Sequence, residues 1–173
     1  MSKIFVDTIE PKTTNGNLTI NNTVLFPNRP AFRVLGPNST QSGQNITAGY
    51  LNITWWEHTT SQAFINNTND FNTSVGIYTA PVTGVYHYDI SVSVNNVASG
   101  YYSIWMQING AHTTTQPYSI TDPTNGSAKD TITNSGLLSL TAGDEVKWTH
   151  KADPDTSVDF EANRSAWSMY LVG

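Results

Sequence analysis

The chain has 173 residues, no cysteine and a formal net charge of −5, with only 12% charged residues, about half the usual ~25%. The missing cysteine excludes a disulfide scaffold, zinc-finger chemistry and a thiol nucleophile. The acidic balance argues against a nucleic-acid partner, which calls for a basic stripe, and the length suits one domain of ~100–200 residues with an appendage.

Charge is also unevenly placed. Between Val34 and Ala128 there is no Lys or Arg, and the only acids are Glu57, Asp70, Asp89 and Asp122. Thr, Asn and Ser fill about a third of the chain instead. Thr, Val, Ile and aromatic side chains suit pleated strands, while Asn, Gly, Pro and Ser punctuate turns. With 11% aromatic residues to build a core, this composition predicts an all-β fold and not a disordered chain.

Residues 1–30, "MSKIFVDTIEPKTTNGNLTINNTVLFPNRP", form a first region. Short alternating pieces at Ile4–Val6, Leu18–Ile20 and Val24–Phe26 are split by "EPK" and "TTNGN". Each is too short to bury its apolar side alone. A frayed terminus is one reading; alternation that persists through the whole segment favours an extended arm completed by other chains. Lys3 is followed by only three apolar residues before Asp7, short of the ~7–15 of a secretory core. No run is long enough to span a bilayer. Membrane insertion is not expected, and assembly in a cytoplasm is.

From Ala31 to Gly173, eight to ten strand candidates are separated by Gly, Pro and Asn turns, the pattern of a sandwich or jelly roll. In chain order they are "AFRVLG", "YLNITWW", "QAFIN", "SVGIYT", "GVYHYDISVSV", "YYSIWMQI", "KDTITNSGLLSL", "DEVKWTHKA", "VDFEA" and "SAWSMYLVG". Alternation places Tyr86, Tyr88, Ile90, Val92 and Val94 on one face, and His87, Asp89, Ser91 and Ser93 on the other. It likewise places Tyr102, Ile104, Met106 and Ile108 opposite Tyr101, Ser103, Trp105 and Gln107. Rings on an outer face mark a contact surface.

The run from Asn66 to Tyr88 carries a motif. Asn66, Phe71 and Tyr78 precede "TAPVTG", and Gly84, Tyr86 and Tyr88 then follow with Gly-x-Tyr-x-aromatic spacing. This resembles the C1q/TNF-like jelly-roll family, although Thr60 stands at its first Phe and Ile90 at its last aromatic. "IWMQING", "LLSLTAGDEVKW" and "SAWSMYLVG" are similar to its later strands, so the resemblance spans roughly Ala31 to Gly173. Physically, Pro81 presets a turn, Gly84 admits a close backbone approach or a positive φ, and Tyr86 and Tyr88 fill a sandwich interior. The resemblance implies a homotrimer, with one sheet of each sandwich packed around a threefold axis. Tyr101 and Trp105 are the expected interface, and an uncharged middle suits it, because a charge on the axis faces its own copies.

Catalytic motifs are missing: there is no Gly-x-Ser-x-Gly elbow, Walker loop or His-Glu-x-x-His, so no enzyme and no cofactor are expected. His58, His87, His112 and His150 stand singly and read as polar strand or loop residues. "ADPDTSVDFE" gathers Asp153, Asp155, Asp159 and Glu161. The resemblance implies Ca²⁺ as the ion to consider, with Asp153 and Asp155 as candidate ligands. The loop lacks an EF-hand glycine, and Asp-Pro makes a plain turn, so no metal is expected.

"HTTTQPYSITDPTNGS" offers hydrogen-bonding groups and a ring, and Gln116, Tyr118 and Asn125 are its expected contacts with a host-surface glycan. In the arm, "VDTIEP" and "GNLTINN" resemble the starts of bacteriophage tail-fibre and appendage proteins. That implies a virion protein, a tail or head fibre or spike, whose arm trimerises and joins other virion proteins while the jelly roll faces outward on the particle. A capsid decoration protein and a soluble bacterial lectin or adhesin remain the alternatives.

Overall fold

The structure is a computed structural model that describes residues 29–46, 50–57, 63–65, 69–95, 101–112, 118–121, 129–153 and 156–172. Almost all of the expected arm, together with His58, Asn66, Gln116, Asn125 and Asp155, lies outside the described residues.

Thirteen strands and no helix occur among the described residues. They are β1 (Ala31–Leu35), β2 (Gln41–Ile46), β3 (Leu51–Asn52), β4 (Phe64–Ile65), β5 (Phe71–Asn72), β6 (Ile77–Thr79) and β7 (Gly84–Asn95). The chain continues through β8 (Tyr101–Ile108), β9 (Tyr118–Thr121), β10 (Asp130–Leu140), β11 (Glu145–Asp153), β12 (Thr156–Phe160) and β13 (Ala166–Leu171). They form two antiparallel sheets, the sandwich that the composition predicts.

In sheet I, the long strand β7 is the spine. One edge of β7 pairs with β10 from Gly84–Leu140 to Val94–Asp130. The other pairs with β13, and beyond it with β12. β1 then pairs with β13, β4 with β1, and β2 with β12. Sheet II runs β5-β6-β11-β8-β9, with β3 also on β11.

Alternation along each strand sends one set of side chains between the sheets. Tyr86, Tyr88, Ile90, Val92 and Val94 from β7 meet Tyr102, Ile104 and Met106 from β8, all buried. Trp148, Trp167, Phe32, Phe71 and Tyr78 complete an aromatic core. Phe32 sits within 4.7–5.0 Å, centroid to centroid, of Phe71, Tyr78 and Trp167. Each such side chain contributes roughly 1.5–3 kcal/mol by leaving water. The Tyr86 hydroxyl keeps a partner by donating to the Val82 carbonyl at 2.7 Å, and the Tyr88 hydroxyl donates to Asn134 at 2.9 Å.

Three turn expectations need correction. Gly84 opens β7 as a strand residue; the positive φ values among the described glycines belong to Gly76 (66°), Gly110 (76°) and Gly143 (93°). A Cβ on Gly76 would lie 2.2 Å from the Ile53 carbonyl oxygen, so that turn needs a glycine for both conformation and space. Tyr118 is not in a loop. "YSIT" forms β9, an edge strand that pairs with β8 from Tyr118–Trp105 to Thr121–Tyr102. An edge strand has only one ladder and one covered face to satisfy, so a polar sequence can form it. "QSGQNI" forms β2 for the same reason, paired only with β12. Of "YLNITWW", just Leu51–Asn52 are strand; Trp56 turns into the core, and Trp55 packs on Phe160 at 4.7 Å.

His150 also departs from its reading as a polar strand or loop residue. It lies on the inner side of β11 and is buried, with its ring 5.3 Å from Phe160 and 5.9 Å from Tyr102. Tyr102 Oη lies 3.1 Å from His150 Nδ1. Burial holds the imidazole pKa down, to about 4.

Candidate functional site

The motif residues Phe71, Tyr78, Tyr86 and Tyr88 are buried between the sheets. They hold the fold and are closed to a partner, and the two outer faces of the sheets carry the side chains that a partner can meet on the strands.

Register defines the outer face of sheet I. One row across the strands is Phe64, Arg33, Ser168, Asp89 and Ser135. The next is Ala31, Tyr170, His87 and Leu137. A cleft of about 510 Å³ opens over this face, lined among others by Arg33, Asp89, Ser91, Thr133, Ser135 and Ser168. Beside it, Tyr170 stacks on His87 at 5.0 Å, and His87 Nδ1 lies 3.2 Å from Asp89 Oδ2. Exposed apolar side chains collect here: Phe64, Val85, Tyr170 and Leu137, the last 65% exposed in the middle of β10. The formal charges in these two rows are Arg33 and Asp89, which cancel.

Sheet II turns a different face to solvent. On its outer side β11 carries Lys147, Thr149 and Lys151, opposite Gln107, Trp105 and Ser103 of β8; the two lysines and Trp105 are half-buried, while Thr149, Gln107 and Ser103 are covered. Tyr118 of β9 pairs with Trp105 on its other side. The Trp105 indole N–H donates to Ser103 Oγ at 2.9 Å, and Thr149 Oγ1 donates to the Trp105 carbonyl at 3.2 Å. That donation leaves Thr149 to accept from His112 Nε2–H, 3.4 Å away. His112 arrives because Asn109 (φ 53°) and Gly110 (φ 76°) form a tight turn at the end of β8, closed by pairing of Ile108 with Ala111.

Above this face Tyr50 and His112 lie ring on ring at 3.9 Å. Both stand nearly perpendicular to Trp105, at 5.5 and 6.5 Å. Lys151 Nζ lies 5.9 Å from the Tyr50 centroid, a cation–π distance. Partial burial, and then the charge of Lys147, lower the His112 pKa, so the imidazole is neutral at pH 7 with its proton on Nε2. Its Nδ1 and Gln107 Oε1 have no hydrogen-bond partner among the described residues.

Tyr101 and Trp105 therefore share the sheet II face with the backbone position of Tyr118. Sequence reasoning assigned them to two separate surfaces, and missed Tyr50, His112, Lys147 and Lys151. Asp153 ends β11. Among the described residues no group of three or more His, Cys, Asp or Glu could hold a metal ion.

Two sheets in this strand order, with an aromatic core and a motif strand at β7, can be set against known folds. The family model of the C1q domain matches residues 58–172. The chain belongs to the C1q domain family. Its fold is similar to that of a solved structure described as the globular domain of zebrafish complement 1qA protein, with a TM-score of 0.60 at 18% identity. That match covers 84% of this chain and 98% of the other. No curated protein sequence matches it. C1q domains typically form trimers and bind ligands, and the family is one of binding domains and not of enzymes.

Proposed function

We propose that this C1q domain is a homotrimeric structural and binding protein of a bacteriophage particle, of the tail- or head-fibre type. The sheet I faces close around a threefold axis, the sheet II faces look outward to a host-surface glycan, and the arm joins other virion proteins. One observation supports the trimer: the exposed apolar side chains Phe64, Val85, Leu137 and Tyr170 gather on the outer face of sheet I. Around an axis each residue meets its own copies, so the row of Ala31, Tyr170, His87 and Leu137, which holds no carboxylate or ammonium, is the one that closes there, with Arg33 and Asp89 in the row beside it. Tyr101 and Trp105 then point away from the axis, where the Trp105 ring is already partly covered by Tyr50 and His112.

"VDTIEP" and "GNLTINN" in the arm support the particle context, with synthesis in the host cytoplasm and display on the virion surface. Sedimentation of the purified protein at micromolar concentration tests the trimer. Three subunits are expected, and a single subunit refutes the reading. Removing residues 1–30 tests attachment: the protein should still trimerise but no longer join particles. Adsorption to host cells and a glycan array test the receptor role, which fails if neither gives a signal.

A further inference from the structure

We infer that the outer face of sheet II is a binding site for a carboxylate-bearing saccharide, with Tyr50, Trp105 and His112 as its ring platform and Lys147 and Lys151 on either side. The inference rests on the reading of a glycan receptor and names the ligand's chemistry and its place.

The rings are the first ground. Tyr50 is 40% exposed and joins no core, yet it is held at fixed angles against His112 and Trp105. Aromatic faces with a polar edge bind sugars, whose C–H faces pack on the ring while their hydroxyls bond around it. Leftover hydrogen-bond capacity is the second ground. His112 Nδ1 and Gln107 Oε1 are buried acceptors without a partner among the described residues, an unmet need that a hydroxyl entering beneath the rings would satisfy.

Charge selects the class of sugar. Along its outward side β11 places Glu145, Lys147, Thr149 and Lys151 in that order, and Asp153 is the last residue of the strand. Thr149 is the residue that meets Trp105 and His112. The two lysines stand two residues from it, about 7 Å at ~3.4 Å per residue, while Glu145 and Asp153 stand four away, at about 13 Å. With a screening length of ~8 Å in physiological salt, the cations dominate at the platform. Lys147, whose charge reaches His112, suits a uronic or sialic carboxylate by a charge-assisted hydrogen bond, and Lys151, 5.9 Å from the Tyr50 ring, adds to the positive field.

The test titrates the full-length protein, followed by tryptophan fluorescence, with tetragalacturonate, sialyllactose, neutral maltotetraose and tetraglutamate. At least one acidic sugar should bind, with maltotetraose and tetraglutamate about tenfold weaker or worse. Lys147→Gln and Lys151→Gln should each weaken it about tenfold, or ~1.4 kcal/mol, with subunit mass unchanged. Trp105→Phe should remove most of the fluorescence change. Equal binding of sugar and peptide, no binding of either acidic sugar, or indifference to both lysine changes overturns the inference. An array run in parallel separates the two levels. If the wild type and the double lysine variant hold host glycans equally, this site is wrong and the receptor reading stands. If the wild type holds none, the receptor reading itself has failed.

Discussion

His150 makes acid stability a direct test of the core. In the unfolded chain an imidazole takes its proton near pH 6.5, whereas in the fold it does so only near pH 4. Between those values the unfolded state binds a proton that the native state refuses, so stability falls as the pH drops. The loss is complete below about pH 4, where both states are charged. A gap of about 2.5 pH units, at ~1.4 kcal/mol each, gives roughly 3 kcal/mol per subunit. The structural cause is specific. Tyr102 is fully buried and its pKa is raised, so it stays protonated, and its hydroxyl shares a hydrogen bond with His150 Nδ1 at 3.1 Å. Protonating the imidazole would bury a cation beside the apolar ring of Phe160, and burial is the cause of its lowered pKa. Urea unfolding at pH 7.0, 5.5 and 4.5 measures the effect through the midpoint at constant slope. His150→Phe removes the titrating group and should flatten the curve between pH 6.5 and 4.5, leaving the shallower slope of the surface carboxylates. Parallel curves for the two proteins would refute a neutral, buried His150.

Gly76→Ala should cost roughly 1–3 kcal/mol of stability from the left-handed backbone alone, and more if Ile53 cannot retreat from a Cβ at 2.2 Å, read as a lower urea midpoint at constant slope; an unchanged midpoint contradicts the assigned turn. Glu161 is nearly buried and pairs with Lys129 and with Arg164, at 3.0 Å, whose side chains are more than half exposed. Glu161→Gln should cost about 1–2 kcal/mol in low salt and less in 0.5 M NaCl, since exposed cations are screened; a cost that does not change with salt would mean that packing, and not charge, holds that corner.

The sandwich was legible because apolar alternation has one physical meaning when no helical period competes with it. The inward sets of β7 and β8 read from "GVYHYDISVSV" and "YYSIWMQI" are buried except for the half-buried Ile108, while Ser93, Ser103 and Gln107 of the outward sets are covered as well. Less legible were the pieces whose strand character comes from a neighbour. β2 and β9 are polar, and only pairing with β12 and β8 makes them strands. His150 misled for a related reason: strand parity puts it with Val146 and Trp148, yet a polar side chain at an inward position draws no attention until its partner Tyr102 is known. Lys147, Thr149 and Lys151 were open to the same parity argument. The Asn-Gly of "IWMQING" signals the turn at Asn109–Gly110, but which face of sheet II that turn lays His112 against is set by the neighbouring strand β11 and is not written in the dipeptide.

The two outer faces also constrain each other. The proposed platform, a few rings and two screened lysines, would hold a single sugar only weakly, at about 1 mM or −4 kcal/mol. In the proposed trimer, closing sheet I around an axis would turn three such platforms outward, where a repeating acidic polymer could engage them together. Linkage of that kind raises overall binding by ~10²–10⁴ without a new contact. Leu137→Asp, which places a carboxylate in the apolar row of sheet I and far from sheet II, separates the two contributions. The expected monomer should keep its fluorescence-measured affinity for the acidic oligosaccharide within about twofold, while retention on host cells falls at least a hundredfold. Retention that survives in a monomer would break the link between trimer and receptor binding, because one platform would then suffice.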